Sequence, residues 1–352
     1  MAVYKIFPEK DAYISSKYPA QNTGRDEVLE VSNTNAINLD TSAQGDVPAV
    51  KRALIQFKTS DINDIITNKI GNSAFQSNLN LYLANADIAP LNYTIETYPL
   101  SQSWNMGTGR SGNSPKTNNG VSWGWRLESG SGAWNTEGGD YTTSVSGTQD
   151  FTYDSTKDIS MDVTTIVQEW NSGSLDNYGF IVKLTGSIEF SASYVDTSYF
   201  SVDTHTIYPP ELEFKWDDSS YDTPLTAVTS SDFVLAFTNL KSEFEDSGVY
   251  KFRVKARDKY PTRTFQTSSV YLNAKALPTS SYWGLKDAKT GEMVVDFDTS
   301  YTKISADSGS NYFTVYMDGL EPERYYQLMV KTVIDSETLV IEDKGNYFKV
   351  VR

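Results

Sequence analysis

The chain contains no cysteine, so disulfides and thiolate metal sites are excluded as supports of the fold. Its single histidine, His205, excludes any site built on two imidazoles and leaves nucleophile-and-histidine chemistry one candidate base. That residue lies in Thr204-His205-Thr206, where no acid or serine completes a recognisable motif, so no catalytic role is expected of it. No run of about 18 apolar residues is present, and no membrane partner is expected. Met1-Ala2-Val3-Tyr4-Lys5 lacks the charged segment and apolar core of a secretory signal, so the expectation is synthesis in a host cytoplasm without export.

Positive charge is also scarce. The formal charge is -15, with 14 basic and 25 acidic residues in 1–215 and 16 and 20 in 216–352. Phosphate backbones are bound by clustered Lys and Arg, so neither half suits a nucleic acid. The acidity is read as keeping an aromatic-rich surface in solution.

At 352 residues the chain is long enough for two domains with cores of their own, and 39% hydrophobic residues exclude wholesale disorder. Aromatic residues make up 13%, with 23 Tyr and 7 Trp, and long helical periodicity is rare, which gives an all-β class. One segment stands apart. Asp162 reads as an N-cap, followed by Val163, Ile166, Val167 and Trp170 at helical spacing. Asn171-Ser172-Gly173 ends that helix, and Phe180-Ile181-Val182 reads as a buried strand.

With that unit in place, further blocks fall in a familiar order. They are Asp11-Ala12-Tyr13-Ile14, Asn22 and Gly24, Val28-Leu29-Glu30-Val31, Arg52-Ala53-Leu54-Ile55-Gln56-Phe57 and residues 79–84. Trp104, Trp134, Gly138-Gly139-Asp140-Tyr141 and Pro210-Glu211-Leu212-Glu213-Phe214 complete the set. Residues 1–215 thereby resemble the DNRLRE domain, a module of secreted microbial and viral structural proteins. The resemblance implies a jelly-roll-like β-sandwich with one short helix and no catalytic residues. The Asn-, Gly- and Ser-rich insertion at 105–120 departs from it.

Pro209-Pro210 and the polar run after Trp216 mark a boundary, giving a second domain at 216–352. Strands are expected at 232–240, 249–257, 282–287, 293–297, 312–317, 325–333 and 347–351, with a hairpin turn at Lys289-Thr290-Gly291-Glu292. Seven short strands predict an immunoglobulin-like or fibronectin-like sandwich. Gly319-Leu320-Glu321-Pro322 before Tyr325-Tyr326 is similar to a tyrosine corner. This half also resembles the tails of virion proteins of large tailed phages, in Tyr260-Pro261-Thr262, Leu277-Pro278-Thr279-Ser280-Ser281-Tyr282 and the segment from Gly319 to Tyr325.

Candidate chemistry is thin. Gly107-Thr108-Gly109-Arg110-Ser111-Gly112 has dinucleotide-fingerprint spacing, but Asn113-Ser114-Pro115 follows where a helix is needed, so a flexible loop is expected and no cofactor. The acidic groups Asp217-Asp218, Glu243-Glu245-Asp246 and Asp296-Asp298 read as solvated turns rather than as a glycosidase pair. A structural calcium in the N-terminal domain is the tenable metal site, with no ligand set assigned. Trp104, Trp123, Trp125 and Trp134 lie in a Gly-rich region and are the candidate contacts for a glycan or a protein partner. The preferred reading makes Trp104 and Trp134 loop anchors, with Trp123 and Trp125 on the core side of a strand.

These features point first to a non-enzymatic structural protein of a tailed-phage virion, in head, neck or tail. It would form homo-oligomers and contact other virion proteins, with Tyr-rich stretches at 194–200 and at Tyr325-Tyr326 as interface elements. The alternative is a carbohydrate-binding or host-attachment module that contacts surface glycans. A glycan hydrolase or lyase is the third reading.

Overall fold

The computed structural model describes residues 2–35, 48–191, 194–261 and 273–352. They form an all-β protein of stacked sheets in two compact units. The N-terminal unit comprises residues 6–71 and 76–213, and the C-terminal unit comprises 214–352 together with 1–5 and 72–75. The first strand, Ala2–Ile6, is buried throughout, and its Val3 belongs to the C-terminal unit's core beside Val228, Phe244 and Met317. Apolar burial therefore assigns the first five residues to the later unit, which no local sequence pattern reveals.

In the N-terminal unit the large sheet runs Gly147–Thr152, Asn92–Pro99, Phe180–Leu184, Pro48–Gln56, Val28–Asn35, Asp196–Phe200, Leu83–Ile88, with Lys10–Ser15 also paired to Pro48–Gln56. Sequence blocks that define the DNRLRE resemblance thus become neighbours: Ala12 faces Leu54, and Ile181 faces Leu54 on the other side. The buried central strand Phe180–Leu184 contains the predicted apolar run. Thr164–Ser172 is helical as expected, with Ile166, Val167 and Trp170 buried and Gly173 in the left-handed conformation at its C-terminus. Asp162 ends a short strand and accepts a hydrogen bond from Thr164 N at 2.9 Å, so Val163 occupies the cap position instead. Trp170 packs on Phe180 with ring centroids 4.6 Å apart.

Helix content exceeds the one short helix expected for this unit. Thr59–Asp64 continues into a wider turn, Ile65–Ile70, burying Ile62, Ile65, Ile66 and Ile70, and Gly186–Glu189 adds another turn. The isoleucine spacing is itself helical. β-branched residues lower helix propensity, which is why composition obscured the pattern.

In the C-terminal unit one sheet runs Phe233–Phe237, Val249–Asp258, Asn311–Tyr316, Ser305–Ala306. The other runs Glu243–Glu245, Glu337–Val351, Tyr325–Ile334, Ser281–Asp287, Met293–Val295. This division of strands between two sheets is that of an immunoglobulin-like sandwich. Trp283 is fully buried and stacks on Phe313 at 5.0 Å, while Phe252 packs on both Phe313 and Phe348. Aromatic packing fills the place that an inter-sheet disulfide takes in antibody domains. The tyrosine corner is present: Tyr326 donates its hydroxyl to Glu321 O at 2.9 Å.

Candidate carbohydrate-binding surface

The four candidate tryptophans belong to residues 100–141, which cross one face of the large sheet. Trp104, Trp123 and Trp134 are only 3, 8 and 5% exposed and pack with Ala12, Ile14, Leu54, Leu100 and Ile181. Their polar edges are used internally. Trp104 Nε1 donates to Tyr178 O at 2.8 Å and Trp134 Nε1 to Ser122 O at 3.0 Å. Their faces are used as well, because the Lys10 ammonium lies 4.5 Å from the Trp104 ring and the Arg52 guanidinium 4.9 Å from that of Trp123.

Arg52 explains why this layer is so firmly held. It forms a bidentate pair with Glu189 at 2.7 and 2.8 Å and donates a third hydrogen bond to Gly138 O at 2.7 Å. Lys183 joins the same carboxylate at 3.4 Å. Burying charge is tolerable only when each ion is paired and hydrogen-bonded, and this cluster meets that condition. Gly138 must remain glycine: its φ is +91°, and a Cβ there would lie 2.8 Å from both Arg52 Nη1 and the Trp123 ring. Trp104, Trp123 and Trp134 therefore act as loop anchors and present no open ring face to a ligand. Trp123 also precedes the strand Trp125–Glu128 rather than sharing it. Trp125 alone of the four is half-buried rather than buried.

The insertion at 105–120 is also no loose loop. Asn22, fully buried, donates through Nδ2 to Met106 O at 2.7 Å and Val121 O at 2.9 Å, and accepts from Gly109 N at 2.7 Å. Its own N–H donates to Thr117 O, and Gln21 Nε2 donates to Ser111 O at 3.0 Å. One buried asparagine thus folds the insertion back onto the sheet, and no helix follows the Gly-rich spacing.

This pinning brings Lys116 beside an aromatic residue that sequence reasoning missed. Tyr18 is 44% exposed in the turn after Lys10–Ser15, with the ammonium groups of Lys17 and Lys116 at 5.6 and 5.0 Å from its ring. Lys116 Nζ also donates to Ser111 O at 2.5 Å. Gly124, the residue before Trp125, donates its N–H to Pro19 O at 2.9 Å, which ties the Trp125 hairpin to the Tyr18 turn. The usable signal was a Lys-Tyr-Pro turn directly after a strand, where an aromatic has no cross-strand neighbour to pack on.

His205 lies in a bend, and the acidic groups lie in loops and turns and at a sheet edge. His205 is 87% exposed at 3.8 Å from Glu27. Asp298 accepts from the Ser300 and Tyr301 N–H groups, Asp217 from Ser219 N, and Glu243–Glu245 forms an edge strand. Among the described residues no three His, Asp or Glu side chains converge as a metal-binding group.

Residues 2–130 match the family model of carbohydrate-binding module family 96 (CBM96). The match covers Tyr18, Trp104, Trp123, Trp125 and the whole pinned insertion. It supports the glycan alternative of the sequence reading rather than the virion role. No curated protein matches the chain.

Proposed function

We propose that this protein is a non-catalytic carbohydrate-binding protein whose N-terminal unit holds sugar on Tyr18, Lys17, Lys116 and Trp125. The CBM96 match over residues 2–130 carries the reading, and the geometry supplies the contacts. Tyr18 keeps 44% of its surface open to a pyranose, and the Lys17 and Lys116 ammonium groups that lie over its ring offer rotatable donors to the sugar's hydroxyls. The Asn22 clamp fixes the loop beforehand, so little ordering entropy opposes binding. Attachment of a particle to surface glycans is the form of this function that also accommodates the C-terminal resemblance to virion proteins.

A glycan array probed with the full chain tests the proposal. Retention of at least one glycan class is expected, with a loss of about tenfold for Tyr18→Ala, the size typical of a central aromatic contact. Absence of binding to every glycan would overturn it.

A further inference from the structure

We infer that the C-terminal unit carries a second sugar site, a groove on the outer face of its larger sheet that takes a neutral pyranose unit. The groove has a volume of about 580 Å³ and is lined by Lys286, Thr290, Tyr325, Gln327, Glu342 and Tyr347, among others. It lies outside residues 2–130 and does not rest on the N-terminal reading.

Strand irregularity builds it. Gln327 pairs with Tyr347 and Met329 with Glu342, so Leu328 alone faces residues 343–346. Bulges of this kind re-aim side chains and recur beside functional sites. Here the bulge sets Glu342 and Tyr347 beside Gln327, whose Nε2 donates to Asp343 O at 3.1 Å. Gly345 N donates to Asp343 Oδ1 at 2.9 Å, closing the bulge on itself.

The opposite wall is the turn after Ser281–Asp287. Asp287 Oδ1 accepts from Lys289 N and Thr290 N at 2.7 Å each, Asp287 Oδ2 pairs with Arg324, and Ala288 N donates to Tyr325 O at 2.9 Å. Burial pushes the Asp287 carboxyl up, but the two backbone N–H groups and Arg324 outweigh it and hold it below the usual range. Both walls are thus set before any ligand arrives, which lowers the cost of binding.

The lining suits a sugar. Tyr325 and Tyr347 are 45 and 49% exposed, with centroids 6.4 Å apart and planes at 59°, forming an aromatic corner rather than a hydrophobic core. Lys286 Nζ lies 2.8 Å from Glu342 Oε1, so a fixed donor stands next to a fixed acceptor on the groove floor. Adjacent hydroxyls of a pyranose require that combination, while the tyrosine faces cover its C–H edge. The Lys286–Glu342 ion pair cancels those two charges and Lys289 adds one positive charge to the lining, while the chain's net charge of -15 disfavours a polyanion and so favours a neutral sugar.

Amide hydrogen exchange on the full chain, with cellohexaose, xylohexaose and mannohexaose as probes, tests the site. At least one sugar should slow exchange at 286–292, 325–327 and 342–347, and Tyr325→Ala and Tyr347→Ala should each weaken that protection by about tenfold at unchanged unfolding midpoint. Lys286→Met should weaken it less, since it removes orientation and leaves the stacking faces. Absence of protection with all three sugars, or protection that survives both tyrosine substitutions, would overturn the inference. Protection by polygalacturonate alone would also overturn it. Protection confined to residues near Tyr18 would remove this site and leave the N-terminal reading standing, and protection confined to the groove would do the reverse.

Discussion

In the N-terminal unit Trp104, Trp123 and Trp134 are 3–8% exposed beneath their own loop, whereas in the C-terminal unit Tyr325 and Tyr347 keep nearly half of their surface open. The sequence reading takes Trp104 and Trp134 as loop anchors and Trp123 as core-facing, and their burial agrees with it although they belong to a Gly-rich connection. The difference lies in what each ring covers. The tryptophans close an otherwise exposed sheet face made of Ala12, Ile14, Leu54 and Ile181, and they are held there by Arg52, Lys10 and backbone acceptors. Tyr325 and Tyr347 lie outward from a core already filled by Tyr326, Leu328 and Phe348, so their burial is left for a ligand.

Substitutions can break this contrast, starting with the largest effect. Trp123→Ala should destabilise the protein by about 3–5 kcal/mol, the usual loss for a buried aromatic, and it leaves Arg52 without its ring. Urea unfolding measures this, and a midpoint close to wild type would show that the loop is not a structural layer. Asn22→Ala removes one side chain serving four backbone partners and should cost about 2–4 kcal/mol, more than one ordinary hydrogen bond. Tyr326→Phe deletes the single corner hydrogen bond to Glu321 O and should cost only about 1 kcal/mol. Tyr347→Ala, by contrast, should shift stability by less than about 0.5 kcal/mol, since the ring is half-exposed.

A pH dependence sharpens the N-terminal side further. Asp11 is 1% exposed and accepts from Val202 N at 2.7 Å; burial, assisted by Asp203, pushes its carboxyl from 3.8 up to about 7 against the opposing Val202 bond and Arg25. Between those values the folded chain holds a proton that the unfolded chain has released, so this group's contribution to stability falls as pH rises from about 4 to about 7 and is flat above. Asp11→Asn should flatten that slope in unfolding experiments run across the window. An unchanged slope would show that Asp11 ionises normally.

The all-β class, the helix at Thr164–Ser172, the C-terminal strands and the tyrosine corner were legible because each rests on local periodicity or a short motif. The isoleucine helix at 59–70 was overlooked although its spacing was visible. Val3 joining the C-terminal core, the Asn22 clamp and the Arg52–Glu189 pair depend on partners 84 to more than 200 residues away, which no local window contains. The reading of Trp104 and Trp134 as loop anchors and of Trp123 as core-facing agrees with their burial, whereas Trp125 is half-buried and the exposed Tyr18 was missed, because exposure is set by what lies underneath. The open groove was hidden for a related reason: its bulge is a mismatch between two strands, and each strand alone reads as ordinary.

The central claim is that the protein binds carbohydrate through exposed aromatics while its buried tryptophans only hold the fold. Affinity electrophoresis of the full chain in gels containing a glycan retained on the array addresses it directly, comparing wild type with a Tyr18→Ala, Tyr325→Ala, Tyr347→Ala triple variant. Retardation of the wild type and its loss in the equally stable triple variant is the predicted result. A triple variant retarded as strongly as the wild type would contradict the account.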